Sequence, residues 1–181
     1  MTEIPRRAAQ ARARLAVAVA RGRVPLGYVL GVVAFWLAHP TARSLAAGAA
    51  VGAAGEALRI WAAGHLDKGR EVTSTGPYAL TRHPLYVGST IMGAGLALAA
   101  HSVAVAAIVG AYLAITITAA IRTEEAHLTD KFGGHYPAYR DGIAAPRARR
   151  FSLARAMGNR EYRALLGFLA VFALLAAKYA L

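Results

Sequence analysis

From Leu85 to Ile121 the chain runs 37 residues without an Asp, Glu, Lys or Arg. A helix needs about 20 such residues, rising 1.5 Å each, to cross a hydrocarbon layer of about 30 Å. The run is too long for one crossing and too short for two joined by a long loop, so it reads as a tight helical hairpin turning near His101 and Ser102. Composition agrees: 57% of residues are hydrophobic and only 17% charged, against about 25% charged in an average soluble domain. The net charge of +12 would suit a nucleic-acid module, but the charges lie in blocks between long uncharged runs, which argues against nucleic acid as a partner. With no cysteine, a disulfide scaffold, a thiolate metal site and a cysteine nucleophile are excluded. The six histidines lack metal-ligand spacing, so no metal is expected.

Three further stretches fit membrane helices: Val24 to Ala42, with His39 and Pro40 at an interfacial end; Ser44 to Gly64, rich in Gly and Ala but carrying Glu56 and Arg59; and Ala164 to Leu181. The expected fold is all-α, a multi-span helical membrane protein of about five transmembrane helices, with residues 1–181 forming a single integral membrane domain. Within it, a basic segment covers 1–23, four spans 24–121, a polar segment 122–163 and the last span 164–181. Six Arg precede Val24, three basic residues lie between Asp67 and Arg82, and nine lie from Arg122 to Arg163. Five spans put all three groups on one side, which the positive-inside rule makes cytoplasmic. The apolar stretch Leu15 to Ala20 is too short for a signal peptide and is followed by Arg21 and Arg23, so it reads as a basic helix lying in the plane of anionic lipid.

Gly27 with Gly31, and Gly48 with Gly52, have the GxxxG spacing that lets helix backbones approach; packing within one chain accounts for them more simply than dimerisation. Gly93-Ala94-Gly95 follows no strand and lacks the third glycine of a dinucleotide loop, so it too is read as helix packing. Glu56 and Arg59, three residues apart, either pair beside a pocket or snorkel to the interface. Arg147, Arg149 and Arg150 are read as headgroup-binding.

The chemistry is confined to two polar segments. Gly76 to Tyr86 (GPYALTRHPLY) turns at Gly-Pro, and Pro84 can open a helix where a missing N–H costs nothing. Arg82 and His83 are thereby held at the membrane face, beside a helix N-terminus suited to a carboxylate or phosphate; a capped span with an interfacial Arg and belt tyrosines is the plainer reading. The second segment opens with Arg122-Thr123-Glu124-Glu125 and runs to Tyr136 and Tyr139. If the helix continues beyond Ile121, Arg122 and Glu125 share a face, while Glu124 and Glu125 point about 100° apart, so one carboxylate can meet a ligand while the other meets an Arg or solvent. Both segments lie at the two ends of one hairpin, on one side, and can converge on a single pocket.

At these residues the sequence resembles the isoprenylcysteine carboxyl methyltransferase and phospholipid methyltransferase group of integral membrane methyltransferases. The resemblance rests on roughly Ala57 to Arg150. It implies a cofactor pocket for S-adenosylmethionine in the C-terminal half, with the polar segments cytoplasmic, and a lipid-like or small apolar acceptor reached from the lipid bilayer. It puts cofactor contacts on Gly76, Pro77, Tyr78, Arg82, His83, Pro84, Tyr86, Glu124, Glu125, Tyr136 and Tyr139. By their chemistry the catalytic candidates are Arg122, to orient an anionic acceptor, and Glu125 or His83, as a base if the acceptor must lose a proton. After Tyr139 the family often continues through Val-Pro; here the chain reads Arg140-Asp141-Gly142-Ile143, a departure that bears on acceptor contacts.

The residue types suit such a cofactor. Arg82 or the helix N-terminus can meet its carboxylate, Glu124 or Glu125 its ammonium or ribose, and the tyrosines its adenine or sulfonium, the last contact contributing about 0.5–2 kcal/mol. The rival enzyme is a membrane NADPH-dependent reductase of the steroid reductase type, which shares the Gly-x-Tyr and His-Pro-x-Tyr pattern but not Arg-Thr-Glu-Glu. The rival of another class is a non-catalytic membrane scaffold or small transporter.

Overall fold

In the computed structural model, residues 25–133, 139, 141 and 149–181 are described. Helix α1 (Pro25–Leu37) is followed by α2 (Ala42–His65), a 3-10 turn (Gly76–Ala79), α3 (Pro84–Ala100), α4 (Val103–Phe132), the short α5 (Leu153–Gly158) and α6 (Tyr162–Ala180). Among the described residues there is no strand, and the fold is an all-helical membrane protein. Two helices, α4 and α6, are long and apolar enough to cross a bilayer; α1 and α3 are shorter apolar helices. Only 6% of the most apolar stretch of α4, and of α6, is buried inside the chain. A core helix of a soluble protein would be mostly buried, so these faces are made for lipid.

The first break falls earlier than the reading Val24 to Ala42 places it. Pro40 has no N–H to continue a helix, and Thr41 opens α2: its hydroxyl accepts from the Ser44 N–H at 3.1 Å, and the Ser44 hydroxyl accepts from the Thr41 N–H at 2.9 Å. This reciprocal cap satisfies two otherwise orphaned donors. The hairpin turns where the uncharged run implies. His101 leaves α3 in a left-handed conformation (φ 49°), and the Ser102 hydroxyl caps α4 by accepting from the Val105 N–H. The other helix ends lie within two residues of expectation, except that α4 continues to Phe132. The start of the 122–163 segment is therefore helix, because nothing between Ile121 and Phe132 breaks one; Gly133, at positive φ, ends it.

Packing is closest between α2 and α3. A side chain on Gly48 would place its Cβ 2.5 Å from the Gly95 carbonyl oxygen, and one on Gly55 would come 2.7 Å from that of Gly88. The Ser44 hydroxyl adds a bond to the Ala99 carbonyl at 3.1 Å. Gly48 and Gly52 thus serve contact within the chain, whereas Gly31 faces open space. The small buried core of Ala38, Ala99, Ala100, Val105 and Leu175 lies at the hairpin end. There Lys178 donates to the carbonyls of Phe35 (2.5 Å) and Trp36 (3.0 Å), tying α6 to the end of α1. At the opposite end the polar loops, the last turns of α4 and the start of α6 come together.

Candidate active site

Gly76 adopts φ +58°, and the His65 ring fills the space a side chain would need, 2.7 Å from where a Cβ would lie. His65, the last residue of α2, meets the Thr75 hydroxyl at 3.1 Å. Burial, then Arg155 and Arg149, hold the imidazole pKa below its ordinary value. The following 3-10 turn closes with Leu80 N–H on the Pro77 carbonyl. His83 stands immediately before α3, and Pro84 is the first helical residue, as its fixed φ favours.

The two polar segments meet through three contacts. Glu125 Oε1 lies 3.1 Å from His83 Nε2 and 3.5 Å from Arg82 Nη1, and Tyr139 Oη donates to the Tyr78 carbonyl at 2.6 Å. The rings of His83 and Tyr86 are 5.8 Å apart. Burial pushes the Tyr78 phenol well above its ordinary pKa, and the Glu124 carboxylate adds to the shift. Burial raises Tyr139 as well, against the opposing pull of Arg82.

Between these contacts lies a cavity of about 610 Å³, within the usual range for a small-molecule site. Its walls are Tyr78 and the run Arg82 to Tyr86, Arg59 of α2 with Leu66 just beyond it, Lys68, Gly69 and the run Glu71 to Thr73, and the stripe Thr116, Ala120, Thr123, Glu124, His127 and Lys131 on α4. Of the expected residues, Tyr78, Arg82, His83, Pro84, Tyr86, Glu124 and Tyr139 line it. Gly76 and Pro77 shape the turn without lining the cavity, and Glu125 stands behind Arg82 and His83. Tyr136 lies outside the described residues. Arg122 is exposed and does not border the cavity, because at 100° per residue it points about 200° away from Glu124.

Residues not singled out from the sequence also line the wall: Lys68, His127 and Lys131. For the α4 pair the signal was present, since Ala120, Glu124, His127 and Lys131 follow one another at three or four residues, but only once the helix is extended past Ile121. For Lys68 there was none. Arg59 borders the cavity and is engaged through Nε and Nη1: Nε lies 2.7 Å from Glu161 Oε1 and 3.8 Å from Glu56 Oε2, while Nη1 donates to the Ser89 hydroxyl (2.5 Å) and the Leu85 carbonyl (3.2 Å). It thereby joins α2, the first turn of α3 and the entry to α6. Arg149, expected at lipid headgroups, pairs instead with Glu71 at 2.6 Å and Asp67 at 3.5 Å, because folding brings it over the loop after α2. Among the described residues, Lys68, Lys131 and Glu124 form no ion pair, so two ammonium groups and one carboxylate remain to meet a ligand.

The chain is 37% identical over 76 residues to the nickel-cobalt-cadmium resistance protein NccN of Alcaligenes xylosoxydans xylosoxydans, covering 41% of this chain and 36% of that protein. It is also 37% identical over 76 residues to the cobalt-zinc-cadmium resistance protein CzcN of Cupriavidus metallidurans, covering 41% and 35%. The match spans about a third of the length of these relatives. No solved structure matches the chain. A family model described as phospholipid methyltransferase matches residues 23–135, which takes in the first span, where the motif resemblance did not reach, and stops short of Tyr136 and Tyr139. Since that match covers more than half of the sequence and contains both contact partners His83 and Glu125, the chain belongs to the phospholipid methyltransferase family, and membership implies a membrane methyltransferase.

Proposed function

We propose that this protein transfers a methyl group from S-adenosylmethionine to a lipid-like or small apolar acceptor at the membrane, with the cavity end of the bundle in the cytoplasm. The observation that carries the reading is the 3.1 Å approach of His83 to Glu125. It closes one wall of a cavity whose remaining charges match a zwitterion. The cofactor, when bound, supplies a methyl group on a sulfonium, which is a good leaving group. The chain's own task is then to hold two partners in line and keep water out, and positioning of that kind contributes up to about 7–11 kcal/mol.

Glu124 takes the ammonium or a ribose hydroxyl. Arg82, oriented by Glu125, and the entry to α3 take the carboxylate, while Tyr78, Tyr86 and Tyr139 offer aromatic faces to adenine and sulfonium. Glu125 is already bound to Arg82 and His83, so its first role is to orient them. Where the acceptor is an amine that must shed a proton, His83 and Glu125 form the path to accept it. The isoprenylcysteine carboxyl methyltransferase type is the nearer model on the motifs Gly76 to Tyr86 and Arg122 to Glu125. The acceptor nucleophile, whether oxygen, nitrogen or sulfur, is set by the cavity's open side.

The test is equilibrium binding of S-adenosylhomocysteine and of NADPH to the purified protein, followed by incubation with methyl-labelled cofactor and total lipid extract. Binding of the former and a labelled lipid product support the proposal. Tight binding of NADPH without S-adenosylhomocysteine favours the reductase, and binding of neither, with no product, favours the scaffold or transporter.

A further inference from the structure

The chain from Phe151 to Arg163 is held to the bundle on one side only. The Ser152 N–H donates to the Gly64 carbonyl at 3.1 Å, Arg155 Nη1 to the same carbonyl at 2.5 Å, and the Asn159 amide to those of Ala63 and Leu66, each at 2.9 Å. These bonds satisfy carbonyls that the end of α2 leaves open, and they fix α5 across that end. Its other side carries Leu153 and Met157, 63% and 51% exposed, while the Phe151 ring, 46% exposed, rests against Gly64 at the end of α2. Arg150, Arg160 and Arg163 flank this apolar stretch in the sequence and are exposed, and Arg163 lies over the Tyr162 ring at 6.0 Å.

We infer that Phe151–Arg163 is a docking surface for the anionic headgroup layer of the protein's own bilayer. Two observations choose this occupant. The segment joins exposed apolar side chains to three exposed arginines, the pairing that inserts at the acyl boundary while meeting lipid phosphates. It is also continuous with α6, which begins at Tyr162 and is long and apolar enough to cross a bilayer, so its depth is that of the interface. Tyr162 and Arg163 then sit where interfacial anchors sit. The inference depends on the membrane crossing of α4 and α6 and is independent of methyl transfer.

The chain has no cysteine, so single-cysteine variants Met157→Cys and Ile115→Cys can each carry an environment-sensitive fluorophore. Both sites are exposed, so neither change disturbs packing. Each labelled protein is reconstituted in nanodiscs of phosphatidylcholine with increasing phosphatidylglycerol. The label at position 157 is expected to shift to the blue and lose acrylamide quenching as phosphatidylglycerol rises, and to be quenched by lipid spin-labelled near the headgroup. In that variant, adding Arg160→Gln or Arg163→Gln should each weaken the anionic-lipid preference about fivefold, the equivalent of about 1 kcal/mol per cation. The label at position 115 should stay protected in every lipid mixture.

A position 157 label that remains open to acrylamide in all mixtures would overturn the inference, whether a soluble partner or nothing covers the patch. Protection that follows protein density rather than lipid charge would assign the surface to a second copy and overturn it equally. An exposed label at position 115 would remove the premise.

Discussion

His83 Nε2 and Glu125 Oε1 stand 3.1 Å apart although 42 residues separate them in the chain. One residue immediately precedes α3 and the other belongs to the last turns of α4, so the contact closes the hairpin at its polar end and sets the width of the cavity between the two helices. Because Glu125 also holds Arg82, a single carboxylate orients a guanidinium and an imidazole together.

Replacing Glu125 with Gln keeps the shape and removes the charge that both partners use. Hydrogen bonds to charged groups contribute about 1.5–3 kcal/mol, so S-adenosylhomocysteine affinity measured by calorimetry should fall about 10- to 100-fold. Arg122→Gln, on the face turned away from the cavity, should leave that affinity within twofold. Equal losses in the two variants would refute the assignment of roles along α4.

Arg59 is the cation between two buried carboxylates, those of Glu161 and Glu56. Arg59→Met should cost about 3–5 kcal/mol, the usual penalty for stranding a buried charge, whereas Arg59→Met with Glu161→Leu should recover much of it. Unfolding in detergent, read as a double-mutant cycle, checks this; additive losses would mean that the pair is not coupled.

The bond from Tyr139 to the Tyr78 carbonyl requires a protonated phenol. Both phenols are raised above their ordinary value of about 10, chiefly by burial. The folded state therefore holds these protons more tightly than the unfolded state. The stability they contribute is complete below about pH 10 and is lost as pH rises through the folded values. Alkaline unfolding should begin above pH 10, and ultraviolet titration should show delayed tyrosinate signal that Tyr139→Phe reduces. A high-pH part of the titration that Tyr139→Phe leaves unchanged would contradict this.

Gly95 lies against the backbone of Gly48 and Gly52. Gly95→Val should destabilise the bundle by 1–3 kcal/mol or more, as overpacking does. Gly31→Ala, which meets nothing within 4 Å, should be neutral or stabilise by up to about 1 kcal/mol. Thermal inactivation in detergent distinguishes the two, and a tolerated Gly95→Val would show that α2 and α3 are less closely joined.

The proposed orientation has its own check. Cysteine introduced at Thr123 should react with an impermeant maleimide only from the cytoplasmic side of sealed vesicles, and cysteine at His101 only from the other side. The reverse pattern would invert the assignment.

Sequence alone determined the helical class, the hairpin turn at His101 and Ser102, and the two polar segments that the fold brings together. Each of these depends on local terms: a long uncharged run has no stable place in water, and Pro84 opens a helix through its own backbone chemistry. Tertiary structure decided which charges are used up inside the protein and which remain for a ligand. Arg149 looked like a headgroup contact until folding set it against Glu71, and Arg122 looked like a site residue until the unbroken α4 turned it away. Lys68 gave no sign because its place in the wall depends on how the loop after α2 returns over α4. Periodicity tells which residues share a helix face; the partner of that face is set by packing between elements distant in the chain, here by glycine backbones and by the ion pairs of Arg59 and Glu125.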